Sequence, residues 1–150
     1  MNIEVRDLRT EDLDEVCRIE ESSFSMPWKR EDFQELIDSE NSIYLVILAD
    51  GKVVGAAGYT FNGFDGYINN VVIDVDYRGQ GLGRLLLREL LNVGRKNGVP
   101  EFTLEVRVSN APAIKLYESF GFKSEGRRKN FYERPVEDAE VMWLRETGPV

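Results

Sequence analysis

The chain has 150 residues, 42% of them hydrophobic and 31% charged, a balance that suits one folded domain and excludes disorder over most of its length. A formal charge of -8 at pH 7 excludes a general nucleic-acid binder, which needs a basic face, and fits cationic partners better. The absence of histidine and the single cysteine, Cys17, exclude an internal disulfide, a Ser-His or Cys-His nucleophile pair and a histidine-dependent metal site, so any proton transfer falls to a carboxylate, Tyr, Lys, Cys or water.

Ile3, Val5 and Leu8 begin a first strand, and Thr10 is a candidate cap for a helix carrying Leu13, Val16, Cys17 and Ile19 toward Phe24. On that apolar side Cys17 reads as a small core residue. Met26-Pro27-Trp28 breaks the helix, and a second runs from Trp28 to about Ile37 with Phe33, Leu36 and Ile37 on one face. Ser42 to Ala49 is a buried strand. Its apolar run is far too short to cross a bilayer, so no membrane contact is expected and the expected location is the cytoplasm. Asp50-Gly51 turns the chain into Lys52 to Phe61, a hairpin. Asn62 to Gly66 makes the next turn, and Tyr67 to Val75 is a strand that feeds a glycine-rich loop. A helix with Leu82, Leu86, Leu90 and Val93 along one side then ends at Asn97-Gly98. Phe102 to Val108 returns as a strand. Asn110 is placed as an N-cap, with Pro112 in the first turn, for a short helix through Ile114, Tyr117 and Phe120 that stops at Gly121. Phe122 onward and Asp138 to Leu144 supply the last strands.

The order β-α-α-β-β-β-α-β-α-β-β reads as an α/β (α+β) sandwich: a mixed, mostly antiparallel seven-stranded sheet with four helices and one parallel crossover around the Gly81 helix. A single domain is expected over residues 1–146, with a loose tail over 147–150.

The loop Arg78-Gly79-Gln80-Gly81-Leu82-Gly83-Arg84 stands between strand and helix, where the unpaired N–H groups of a first helical turn can bind a pyrophosphate. Glycines let the main chain approach phosphate oxygens, and Arg78 and Arg84 can add charged donors. Taken alone, the loop is equally compatible with a plain strand-to-helix turn. No Lys-Ser or Lys-Thr follows the glycines, which excludes a P-loop, and Arg84 stands where a dinucleotide fingerprint needs its last glycine. What remains is R-x-x-G-x-G, and by it the chain resembles the GNAT superfamily of N-acetyltransferases, which bind acetyl-CoA. The order of elements agrees over nearly the whole length.

That resemblance implies a splay between the strands before and after the Gly81 helix. Val71, Val72 and Ile73 would offer main-chain groups there to the pantetheine arm, and Gly79 to Arg84 would cradle the phosphates. Acetyl transfer to an amine demands a neutral amine, a stabilised oxyanion and a proton for the departing thiolate. Glu105, in Leu104-Glu105-Val106-Arg107, is the candidate base. Strand chemistry alone leaves open that Glu105 merely lies on a wet face or pairs with Arg107. Tyr117 is the candidate acid, and by packing it could equally be a core tyrosine.

L-E-V-R followed by S-N-x-x-A-x-x-L-Y-x-x-x-G-F resembles the ribosomal-protein alanine N-acetyltransferase branch. The resemblance implies Glu105 as base and Tyr117 as acid, and a CoA contact by Asn110 beside its capping role. Glu20, Phe24, Pro27 and Trp28, as E-x-x-x-F-x-x-P-W, also match this branch and would border a peptide groove with Tyr132, though Trp28 and Phe24 could also staple two helices together. The chain departs from the pattern at Val75, where proline is frequent, and at Phe131, where relatives commonly have tyrosine. The function implied is acetyl-CoA-dependent Nα-acetylation of a protein N-terminus, an alanine-starting ribosomal protein foremost, without a metal. The alternatives are acetylation of a lysine side chain or a small amine or polyamine, and a non-catalytic acyl-CoA sensor or assembly subunit.

Overall fold

The computed structural model describes residues 1–145, and the expected tail over 147–150 lies outside the described residues. Seven strands and four α-helices follow in the expected order: β1 (Ile3–Asp7), α1 (Leu13–Ser23), α2 (Arg30–Asp38), β2 (Ser42–Ala49), β3 (Lys52–Phe61), β4 (Gly66–Ile73), α3 (Leu82–Lys96), β5 (Phe102–Arg107), α4 (Ala111–Ser119), β6 (Lys123–Tyr132) and β7 (Glu137–Leu144). They form one sheet in the order β1-β2-β3-β4-β5-β7-β6. Every pair is antiparallel except β4 with β5, which α3 connects by a parallel crossover.

The period of two in β2 sorts its side chains onto two faces. Leu45, Ile47 and Ala49 join the cluster built by Leu82, Leu86, Leu87 and Leu90 of α3 and Tyr117 of α4, whereas Tyr44, Val46 and Leu48 meet Leu13, Val16 and Ile19 of α1 and Phe33 of α2. The α3/α4 cluster also takes Leu104 and Val106 of β5 and Met142 of β7, so it reaches every strand but the exposed edge strand β6. The α1/α2 cluster draws its strand residues from β2, β3 and β4, leaving the same face of β5, β7 and β6 without a helical layer. Gly94 permits the close seat of α3, because a Cβ there would stand 2.5 Å from the Phe102 ring.

Three boundaries differ from expectation. Thr10 does not cap α1: it opens a 3-10 turn over Thr10–Asp12, and the Asp12 carboxylate accepts the Arg9 amide and both terminal nitrogens of Arg6 instead. The second helix starts at Arg30, since Pro27 and Trp28 lie outside it and Lys29 caps it in an extended conformation. β4 ends at Ile73 and not at Val75, because Asp74 turns its carboxylate onto the Asp76 amide and starts a second 3-10 turn, Val75–Tyr77. β4 also carries an irregularity: Gly58 pairs with Asn70 and Tyr59 with Ile68, leaving Asn69 as the extra residue of a bulge.

Candidate active site

The parallel pairing of β4 and β5 covers two residue pairs, Gly66 with Phe102 and Tyr67 with Thr103, after which the strands part. Val71, Val72 and Ile73 keep their partners Ala57, Ala56 and Gly55 on β3, while the other edge of β4 faces the gap. A half-paired strand of this kind can hydrogen-bond an extended amide chain, and the pantetheine arm of CoA is one. The apolar side chains of Val71 and Ile73 pack toward α3 and that of Val72 toward α1 and α2, so backbone pairing and core packing coexist.

Glu105 projects from β5 on the face without a helical layer, because Leu104 and Val106 on either side of it point into the α3 cluster. Its side chain is 7% exposed. The Tyr67 hydroxyl donates to Oε1, and Arg128 Nη1 donates to Oε2 at 2.5 Å. Arg107, considered as its partner from sequence, instead turns to Glu137 and to the carbonyls of Glu133 and Pro135. Burial, and after it the bond to the Glu105 carboxylate, pushes the Tyr67 phenol well above its ordinary value. Burial and the Glu105 charge likewise push Tyr132 up to about 12, and the Tyr132 ring receives the Arg107 guanidinium at 4.5 Å.

Tyr117 lies on the opposite face, in the α3/α4 cluster beside Phe122, with ring centroids 5.8 Å apart. Burial holds its phenol well above the ordinary value and therefore protonated. Asn110 caps α4 by accepting the Ala113 amide at 3.2 Å, which fixes the helix on which Tyr117 is carried. The candidate base and acid thus lie on the two sides of the sheet.

At the glycine loop, Gly79 and Gly81 adopt φ of +78° and +80°, a left-handed backbone that glycine accepts without strain. Gln80 is exposed between them, and the first amides of Leu82, Gly83 and Arg84 lie at the open end of α3. The two arginines are engaged within the protein. Arg78 Nε donates to the Ile73 carbonyl at 2.8 Å and its Nη2 to Ser23 Oγ, while Arg84 Nη1 donates to Ser119 Oγ at 2.9 Å. Arg78 therefore braces the end of β4 against α1, and Arg84 ties α3 to α4.

Of the residues expected along a peptide groove, Phe24 is exposed and Tyr132 half-buried. Trp28 packs its ring 5.3 Å from Phe33 and 6.4 Å from Tyr44, which staples the loop before α2 to the sheet. Glu20 is 2% exposed and faces inward. Its Oε1 accepts the Trp28 amide and its Oε2 the Asn70 side-chain amide at 2.8 Å, so it joins that loop to β4 directly behind the gap. Burial raises the Glu20 carboxyl despite these two donors. Cys17 is half-buried and borders an open cleft with Pro27 and Trp28; burial pushes its thiol up, away from nucleophilic use.

Tyr67 and Asn70 carry no site motif in the sequence, and Arg128 stands in the segment Arg127 to Tyr132, which follows the pattern of the alanine N-acetyltransferase branch without marking it as a partner of Glu105. Tyr67 and Arg128 stand 38 and 23 residues from Glu105, and only the pairing of β4, β5, β7 and β6 brings them together.

Residues 13–122 match the acetyltransferase (GNAT) family model. The chain is 43% identical over 141 residues, 93% of both chains, to a Bacillus subtilis (strain 168) protein named provisionally as a ribosomal protein bS18-alanine N-acetyltransferase. It is 36% identical over 142 residues to the ribosomal protein bS18-alanine N-acetyltransferase of Escherichia coli (strain K12), covering 93% of this chain and 95% of that one. The fold is similar to the crystal structure of the ribosomal-protein-S18-alanine N-acetyltransferase from Escherichia coli, with a TM-score of 0.91 and 34% identity over 99% of this chain and 97% of the other.

Proposed function

Since the chain belongs to the GNAT acetyltransferase family, we propose that it transfers an acetyl group from acetyl-CoA to the N-terminal amine of a protein, foremost an alanine-starting ribosomal protein in the cytoplasm. The observation that carries this reading is the two-pair junction of β4 and β5, with Glu105 on one face of the sheet and Tyr117 on the other. The residues fit the donor substrate. β4 supplies main-chain groups from Val71 to Ile73, and the left-handed turns at Gly79 and Gly81 lead the chain to the N-terminal end of α3, where backbone amides favour phosphate.

In this reading the reaction is direct transfer with both substrates bound. Glu105 takes a proton from the acceptor's ammonium, directly or through water, and the freed nitrogen attacks the thioester carbonyl. Tyr117, held neutral by burial, donates to the sulfur as charge builds there. The half-buried thiol of Cys17 lies outside the gap, which leaves no acyl-enzyme route through it. Phe24, Trp28 and Tyr132 would border the acceptor, and Glu20 would hold the Trp28 loop behind them.

Two measurements test this. E105Q is expected to slow turnover by roughly 10²- to 10⁴-fold while CoA binding persists; unchanged turnover removes Glu105 as base. Mass spectrometry after incubation with acetyl-CoA and an alanine-starting peptide, the same peptide blocked at its α-amine and a polyamine should find acetyl on the first alone. Label on the blocked peptide or the polyamine would move the acceptor to a lysine side chain or a small amine.

A further inference from the structure

Both oxygens of Glu105 are occupied before any acceptor arrives. Oε1 is bound by the Tyr67 hydroxyl from β4 and Oε2 by Arg128 from β6. The two partners differ in kind. Tyr67 sits at the last residue pair before β4 and β5 part, so the sheet fixes it, whereas the Arg128 side chain is 60% exposed above a carboxylate that is only 7% exposed. The guanidinium is thus the outer cover of the candidate base. Beyond Arg128, which pairs with Ala139, the β6–β7 ladder breaks until Tyr132 pairs with Glu137, and Asn130 adopts φ +54°. The arginine therefore stands at the edge of an irregular segment, and the Phe131 ring lies 5.1 Å from its guanidinium carbon while it pairs with Glu105.

We propose that Arg128 is a counter-ion gate over Glu105, holding the place that the acceptor's ammonium takes and yielding it only to another cation. This rests on the reading of Glu105 as the base. The exchange conserves charge: one cation leaves Oε2 for the solvent it already faces as another enters, so the buried carboxylate is never left bare. Arg107 cannot substitute, because Glu137 and two carbonyls hold it, and the phenols of Tyr67, Tyr132 and Tyr117 around the opening bring no positive charge. A neutral hydroxyl acceptor would have to leave the Arg128–Glu105 pair intact and could not reach Oε2. The gate thus selects charged amines before any chemistry occurs. Arg128 acts here as a positioning residue.

The test is steady-state kinetics with an alanine-starting hexapeptide and acetyl-CoA. Removing the competing cation in R128Q should lower the peptide KM about two- to five-fold, the scale of an ion pair whose arginine lies mostly in solvent, and raise kcat/KM. R128K keeps a cation and should restore the original KM. R128M repeats the neutral change while keeping an apolar stem against Phe131, so the result does not depend on how the glutamine variant folds. Inhibition by the Nα-acetylated hexapeptide, which brings no ammonium, should be the same in all four proteins. A peptide KM that rises or stays constant in both neutral variants, or a kcat/KM that falls in both, overturns the gate. E105Q, assayed alongside, separates the two readings. Slow turnover in E105Q with no fall in KM in the Arg128 variants sinks the gate alone, whereas full turnover in E105Q removes the base and the gate with it.

Discussion

At the scale of single residues, the candidate base is defined by what surrounds it: a tyrosine from β4 and an arginine from β6 hold its two oxygens. Glu105 and Tyr117 stand in a continuous run from Leu104 to Phe122, so resemblance could find both. Their surroundings could not be read, because nothing local to Glu105 announces Tyr67 or Arg128, and the nearby Arg107 was a false lead. Glu20 teaches the same lesson from the other side. Its sequence neighbourhood suggested the rim of a groove, and the structure buries it between two donors, the Trp28 amide and the Asn70 side chain. E20A would strand both donors, each of which has lost its water. Urea denaturation should register a loss of about 1–3 kcal/mol from the unpaired groups, more if the emptied space does not collapse. A loss below about 0.5 kcal/mol would show that water replaces the carboxylate there.

At the scale of elements, periodicity located every strand and helix, because alternation in β2 and the leucine stripe of α3 are long and regular. The ends and the irregularities were another matter. Whether Asp74 continues a strand or folds its side chain onto a backbone amide depends on Arg18 of α1, which pairs with it at 2.9 Å from 56 positions away. The bulge at Asn69 has no local signature either, yet it turns Asn70 toward Glu20 while Tyr67 faces Glu105. Gly81, by contrast, was legible as a backbone requirement. Its φ of +80° leaves open space for a Cβ, so G81A is strained by its dihedral alone. Thermal unfolding should show a cost of about 1–2 kcal/mol without loss of the fold, and an unchanged midpoint would mean that the N-terminal turn of α3 relaxes to another conformation.

At the scale of the whole molecule, the sheet is covered on one side from β1 to β7, with the edge strand β6 exposed, and on the other only over its first half. Two buried carboxylates anchor that half-layer: Asp12 to Arg6, and Asp74 to Arg18. For Asp12 burial opposes ionisation but the Arg6 and Arg9 donors outweigh it; for Asp74 the Arg18 bond leads. Both carboxyls are held below their ordinary value of 3.8. A carboxyl depressed by folding stabilises the native state fully above its unfolded value, and that stability drains away as pH falls through the folded one. The thermal midpoint should therefore fall steeply below about pH 4, and D74N should lower it at neutral pH while flattening the acid slope. An acid slope identical in D74N would assign the loss to other carboxylates. Across the middle of the sheet, two rungs alone join its halves at the β4–β5 seam. In the proposed reaction a thioester arm laid along Val71 to Ile73 would serve as a temporary eighth strand, mending the lattice on entry and reopening it on departure as free thiol. Release would then unfasten the same main-chain contacts that secured arrival.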